Sequence, residues 1–412
     1  VPNKELIPHL FRTESSKIIA VLTKVFGLAH VALAEDIVSD TFLTATEKWA
    51  SEGLPDNPTA WLYAVAKNKT RDFLRRDQHF SHTIAPTVKA QQSEMEEIQL
   101  DWSEKNITDS QLKMMFAICH PDIPEEAQVG LALRILCGFG IEEIALAFLT
   151  SKAVINKRLY RAKEKLRSLA LPMELPSPPE MDKRLENVLR ILYLLFNEGY
   201  YSQTKHLPLR KELCLEAMRL NYLLIEHERT NKPFVNALLS LMCFHASRFE
   251  ARMSKVGEII LYDDQDRSLW DDDLIAKANH FLIESAKGDV ITKYHLEASI
   301  AYWHATKQQA TDKWEHILQL YNRLLQIEYS PIAALNRTYA LAQANGVKKG
   351  IQAAEKLALV EAYSYHLLLG NLYSSVAIDK AKSHYRLAQQ LAKSEAEKKT
   401  IAEYLRRMET ID

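Results

Sequence analysis

The sequence predicts an all-α protein of at least two domains. Apolar residues recur three and four apart over most of the 412 residues, the spacing of helices with one buried face. No strand-like alternation interrupts residues 181–412. Glycine is scarce, at eleven residues, which disfavours sheet and Gly-rich phosphate loops. Hydrophobic and charged contents of 47% and 25% are those of a soluble globular chain, and the length exceeds one ordinary core.

Taken in order, "ESSKIIAVLTKVF" (14–26) and "VALAEDIVSDTFLTATEKW" (31–49) each carry a helical apolar stripe. Gly53, Pro55 and Pro58 then break the chain, and "TAWLYAVAKNKTRDFLRR" resumes the spacing through Trp61, Leu62, Val65 and Phe73. Residues 1–77 read as one helical domain. Residues 78–107 read as a polar linker whose part from 94 to 104 holds Glu94, Glu96, Glu97, Asp101 and Glu104 and no basic residue. A second small helical domain follows over 108–171. The segment 172–180, with four prolines in "LPMELPSPPE", is the clearest boundary, and 181–412 form a long helical extension. Near its end, two stretches of about 34 residues each suggest helical hairpins. In the second, Leu369, Gly370, Tyr373, Ala381, Tyr385 and Ala388 nearly follow the tetratricopeptide spacing.

The net charge is only −1, yet residues 151–167 gather seven Lys and Arg against one Glu. Within "IEEIALAFLTSKAVINKRLYRAKEKLR" (141–167), Ile155, Leu159, Ala162 and Leu166 share one helix face, leaving Asn156, Lys157, Tyr160, Arg161 and Lys163 on the rest. With the preceding helix and a short turn that Ser151 caps, this is the pattern of a helix-turn-helix whose second helix enters a major groove. An amphipathic hairpin with a solvated basic face is the plain alternative.

A second basic cluster, "KNKTRDFLRR", sets five cations against one Asp just after Trp61 and Tyr63, which suits phosphates and unstacked bases; a solvated helix end over a Trp61 and Phe73 core has the same composition. Upstream, Glu35, Asp36, Ser39 and Asp40 form an acidic face that would repel DNA and meet a basic protein partner or water.

No enzyme signature stands out, and no cofactor or metal is expected. "YDDQDRSLWDDD" (262–273) lacks the Gly and terminal Glu of a calcium loop and reads as a helix cap or loop. "LLFNEGYYS" reads as a helix end capped by Gly199, with a polar pocket of Asn197, Glu198 and Tyr200 as the alternative. Cys119, Cys137, Cys214 and Cys243 are far apart and form no zinc spacing, which fits free thiols in a reducing cytoplasm. No secretory leader or membrane span is evident, and a soluble cytoplasmic protein is expected.

"AEDIVSDTFLTA" with "NPTAWLYAVAKNKTRDFLRR" resembles region 2 of bacterial sigma factors of the extracytoplasmic-function group, and residues 141–167 resemble region 4. "HPDIPEEAQVGLALRILCGF", "LYLLFNEGYYS" and "YDDQDRSLWD" resemble a subgroup with a long tetratricopeptide-like extension. The resemblance implies core RNA polymerase and promoter DNA as partners. It places Asp36, Asp40 and Phe42 against the polymerase clamp helices. Asn68, Arg71, Arg75 and Arg76 would lie on the minus-ten element, and Asn156, Lys157, Arg158 and Arg161 on the minus-thirty-five element. It implies that the loop at 50–58 captures an unstacked base and that the acidic linker runs through the polymerase cleft. Neutral charge and the large extension suggest control built into the chain, with the extension packing on regions 2 and 4. The rival is a duplex-binding helix-turn-helix regulator that uses the extension as a protein scaffold and never binds polymerase.

Overall fold

The computed structural model describes residues 3–76, 100–169, 171–200, 207–252, 260, 262–306, 312–392 and 395–409. Among them lie nineteen α-helices and no strand. The chain divides into two compact units, Val1–Thr230 and Asn231–Asp412.

The first unit is built around α1 (Asn3–Phe26), which buries Ile18, Ile19, Val21, Leu22 and Phe26. Gly27 ends it at φ 85°, a left-handed geometry that Gly adopts without a Cβ penalty. In α2 (Val31–Glu52), Ala34, Ile37, Val38, Phe42, Ala45 and Trp49 form the buried stripe. Helix α3 (Pro58–Arg76) starts with Pro at its first position, and Asn57 Oδ1 accepts from the Ala60 amide at 2.9 Å. Trp61 meets Trp49 edge to face, with centroids 5.2 Å apart.

Helix α4 (Glu104–Ile118) begins earlier than the polar composition suggests, because Ser103 caps it through the Asn106 amide. Residues 104–107 therefore belong to a helix rather than to the linker. Glu94, Glu96 and Glu97 lie outside the described residues. Lys24 of α1 reaches Asp109 at 2.8 Å and Asn106 at 2.7 Å, pinning α4 to α1. Next come α5 (Glu125–Leu131), one wide π-type turn (Ala132–Leu136), α6 (Ile141–Ala147) and the basic α7 (Lys152–Leu169).

The proline-rich segment does not close this unit. Beyond it, α8 (Pro178–Tyr200) and α9 (Leu207–Glu226) complete the same body. Arg184 donates to the Phe116 carbonyl at 2.8 Å, and Arg219 to the Leu136 carbonyl at 2.8 Å. Asn187 donates to the Cys119 carbonyl and to Gln128 Oε1. Met181, Leu185, Val188, Leu192 and Leu195 repeat at helical spacing and are buried, so α8 is packed along its length. Proline punctuated the chain without separating its cores. Gly199 is likewise not a cap: it is buried within α8, which continues to Tyr200.

The second unit runs from α10 (Pro233–Ala246), nearly all of it buried, through short α11 (Phe249–Arg252) to α12 (Asp272–Ser285). Asp271 caps α12 through the Leu274 amide at 2.9 Å, and Asp266 caps a 3-10 turn through Ser268, so the Asp-rich stretch is indeed turn and cap. Helices α13 (Lys293–Ala305), α14 (Lys313–Ile327), α15 (Pro331–Asn345), α16 (Val347–Leu357), α17 (Tyr363–Tyr373), α18 (Ile378–Leu391) and α19 (Glu395–Glu409) follow. In the α17–α18 pair, Leu369, Gly370, Tyr373, Ala381, Tyr385 and Ala388 are buried. A Cβ on Gly370 would stand 2.8 Å from the Tyr385 ring, so only Gly permits this approach. No helix among the described residues is long and apolar enough to cross a membrane.

Candidate partner and nucleic-acid interface

Three helices of the first unit carry the residues singled out by the sequence. On α2, Asp36, Ser39, Asp40, Leu43 and Glu47 are exposed and spaced to share one face. Leu43 is 58% exposed, an apolar contact that the charge pattern did not single out. Phe42 lies elsewhere. It is buried with its ring 4.9 Å from that of Phe11, so it holds α2 on α1 instead of presenting a free surface.

Glu35 also departs from the acidic face. Its carboxylate is buried and takes two cations, Arg134 Nε at 3.0 Å and the Lys163 ammonium, the latter an ion pair without a directed hydrogen bond. The signal was present in the register, since Val31, Glu35, Val38 and Phe42 step by four, three and four along the buried stripe. Lys163 sits beside Leu159 and Leu166 in the same way on α7. Thus a carboxylate of α2 holds the basic helix and the turn before α6 at once.

On α3, Asn68 and Arg75 are exposed and Arg71 is half-buried. Arg76 is within the helix, but its side chain lies outside the described residues. The neighbouring aromatics are engaged in packing. Tyr63 donates to Glu14 at 2.6 Å and stacks on Trp102 at 4.8 Å. Burial, then the Glu14 carboxylate, push its phenol far above the ordinary range.

On α7, the Ser151 hydroxyl accepts from the Val154 amide at 3.3 Å, as a cap does. Ile155, Leu159, Ala162 and Leu166 are buried, and Asn156, Lys157, Tyr160 and Arg161 are exposed. Tyr160, at 68% exposed, gives this cationic face a ring able to lie on sugar or base. Arg158 is partly withdrawn: it pairs with Glu126 at 2.9 Å and lies 5.6 Å over the Phe148 ring. At the helix end, burial and then the Arg167 charge lower the pKa of His30.

Arg12 joins these parts. Its guanidinium lies 4.0 Å above the Phe139 ring and donates to Glu143 of α6 and, at 2.8 Å, to Glu212 of α9. Among the described residues no group of three or more His, Cys, Asp or Glu is placed to hold a metal. All four cysteines are buried free thiols, and burial pushes Cys119 and Cys243 up to about 12.

Residues 10–80 match the model of sigma-70 region 2, and residues 184–286 match a family of unknown function, DUF6596. The uncharacterized protein R00370 of Rhizobium meliloti is 31% identical over 351 residues, covering 83% of this chain and 82% of its own length. A probable RNA polymerase sigma factor of Haemophilus influenzae is 22% identical over 147 residues, 33% of this chain and 76% of that protein. No solved structure matches the chain. The sigma-70 region 2 is thus carried by α1 to α3, and over most of its length the chain belongs to one family with the Rhizobium protein.

Proposed function

We propose that the protein is a sigma factor of the extracytoplasmic-function type. It binds core RNA polymerase through the exposed α2 face of Asp36, Asp40 and Leu43. It reads the minus-ten element with Asn68, Arg71, Arg75 and Arg76 of α3, and the minus-thirty-five element with α7. The observation that carries this reading is the division of charge within one compact unit: acidic side chains exposed on α2, cations exposed on α7. An acidic face repels DNA and attracts a basic protein, whereas the α7 cations meet phosphates and base edges.

In the free chain the Glu35 pairs hold α7 against α2, and α8 and α9 brace α4, α5 and the turn before α6. A promoter's two elements are separate, so both helices reach them only after this closed arrangement opens. Helices α8 and α9 therefore set how readily the factor engages polymerase.

Transcription reconstituted from core polymerase and a promoter pool tests the proposal. The full chain should direct initiation at a shared two-part sequence, and the double reversal Asp36→Arg, Asp40→Arg should abolish it while leaving the circular dichroism spectrum unchanged. Full activity in the reversal variant would refute the α2 assignment. Tight operator binding by the chain alone, with no polymerase-dependent transcript, would favour the duplex-binding regulator.

A further inference from the structure

The second unit contains a cavity of about 330 Å³ that the sigma reading does not use. Its aromatic wall is formed by Tyr262, His304, Trp314, Tyr339, Tyr385 and Tyr404, drawn from the "YDDQDRSLWD" stretch and from α13, α14, α15, α18 and α19. We propose that this cavity binds a small planar aromatic molecule, uncharged or anionic, oriented by polar groups at its rim.

Size and shape support a flat ligand. A dry cavity of about 150 Å³ accepts benzene, so this one has room for two or three fused rings. The Trp314 ring stands nearly perpendicular to those of Tyr339, at 83° and 5.5 Å, and His304, at 72° and 5.8 Å. Rings set at right angles present both faces and edges to an inserted ring, the two geometries that aromatic pairs favour.

The polar wall is prepared as well. Tyr262 is locked, its hydroxyl donating to the His304 carbonyl at 2.9 Å and accepting from Lys313 Nζ at 2.9 Å. The His304 ring lines the wall with its Nδ1 out of solvent. Burial, then the Arg248 and Lys313 charges, hold the imidazole neutral, with a pKa of about 3. Arg248 lies 5.6 Å and Lys313 5.2 Å from the Tyr262 ring centre, so a cationic ligand meets like charge at this wall. Asn336 and Asn371, both exposed lining residues, supply the polar rim that orients a ligand in an otherwise apolar site.

The test uses the full chain labelled with 5-fluorotryptophan, with the Trp314 ¹⁹F resonance assigned through Trp314→Phe. Three probes are titrated: 1-naphthoate, the 1-naphthylmethylammonium cation, and cyclohexanecarboxylate, which is anionic but not flat. A saturable shift of the Trp314 resonance with 1-naphthoate, at least tenfold weaker with the other two, is expected. Ile332→Trp, at a lining residue that is 56% exposed and so tolerant of added bulk, should block binding without unfolding the chain. Absence of a saturable shift, equal response to the three probes, tighter binding of the cation, or unchanged binding in Ile332→Trp would each overturn the proposal. None of these outcomes depends on polymerase or DNA, so the sigma reading stands or falls separately.

Discussion

Replacing Glu35 by Gln isolates the contact that holds α7 on α2, because the amide keeps the shape of the side chain and removes its charge. The Arg134 pair at 3.0 Å has a gross attraction of about 5 to 6 kcal/mol at an effective dielectric near 20. Most of that is offset by taking the charges out of water, and breaking a fully buried pair costs about 3 to 5 kcal/mol. Here the carboxylate side chain is 7% exposed, but Arg134 and Lys163 keep 20% and 25% exposure, so water recovers part of the loss. About 2 kcal/mol remains. Opening of α7 should then become about thirtyfold more frequent, since 1.4 kcal/mol is a factor of ten. Hydrogen exchange followed by mass spectrometry on the full chain reads this directly, peptide by peptide. Peptides from 152–169 should exchange about thirtyfold faster in Glu35→Gln, while those from the second unit stay unchanged. The Glu35→Gln and Lys163→Met pair should show a coupling energy of about 1 kcal/mol. Protection of α7 within twofold of the parent, with coupling near zero, would refute the idea that Glu35 keeps the unit closed.

Other predictions address the remaining contacts. Lys157→Ala with Arg161→Ala should lower promoter use by about 1 to 3 kcal/mol per lost base contact, measured by transcription at fixed salt, without altering polymerase affinity. Gly370→Ala should destabilise the second unit by about 1 to 3 kcal/mol, seen in urea melts, because the added methyl must displace the Tyr385 ring. His304 and His245 are both held neutral by burial first and neighbouring cations second, and their folded pKa values fall below that of the unfolded chain. The unfolded chain binds protons first as pH drops. Stability of the second unit is thus fully present above about pH 6.5 and falls below it, by about 1.4 kcal/mol per pH unit for each histidine. For His304 the loss continues to about pH 3. Urea melts between pH 7 and pH 5 should show this slope, and His304→Gln should reduce it.

Periodicity made the helices legible, and charge counts made the α2 and α7 faces legible, because both are local properties of the chain. Asp36, Asp40, Asn156, Lys157 and Arg161 are exposed where the stripe spacing leaves them outside the core. What failed was whatever depended on a partner distant in sequence. Glu35 reads as one more surface acid until its cations, 99 and 128 residues away, are known. Phe42 reads as a partner contact by resemblance alone, yet it is buried against Phe11. The four prolines read as a domain boundary because they stop a helix, but the cohesion across them comes from Arg184, Asn187 and Arg219 bonding to carbonyls far upstream. Helical register would have exposed Glu35 and Lys163 early, since both interrupt apolar stripes with a charge. No local signal announces the cavity of the second unit, whose lining is gathered from residues 262 to 404.

A fluorescence titration of the labelled full chain with core RNA polymerase at fixed salt tests the central claim most directly, run beside Asp36→Arg, Asp40→Arg and beside Glu35→Gln. Saturable one-to-one binding by the parent is expected, with loss of binding in the double reversal and tighter binding in Glu35→Gln because less closure must be undone. Failure of both the parent and Glu35→Gln to bind core, alongside stable binding of the parent to duplex DNA alone, would contradict it.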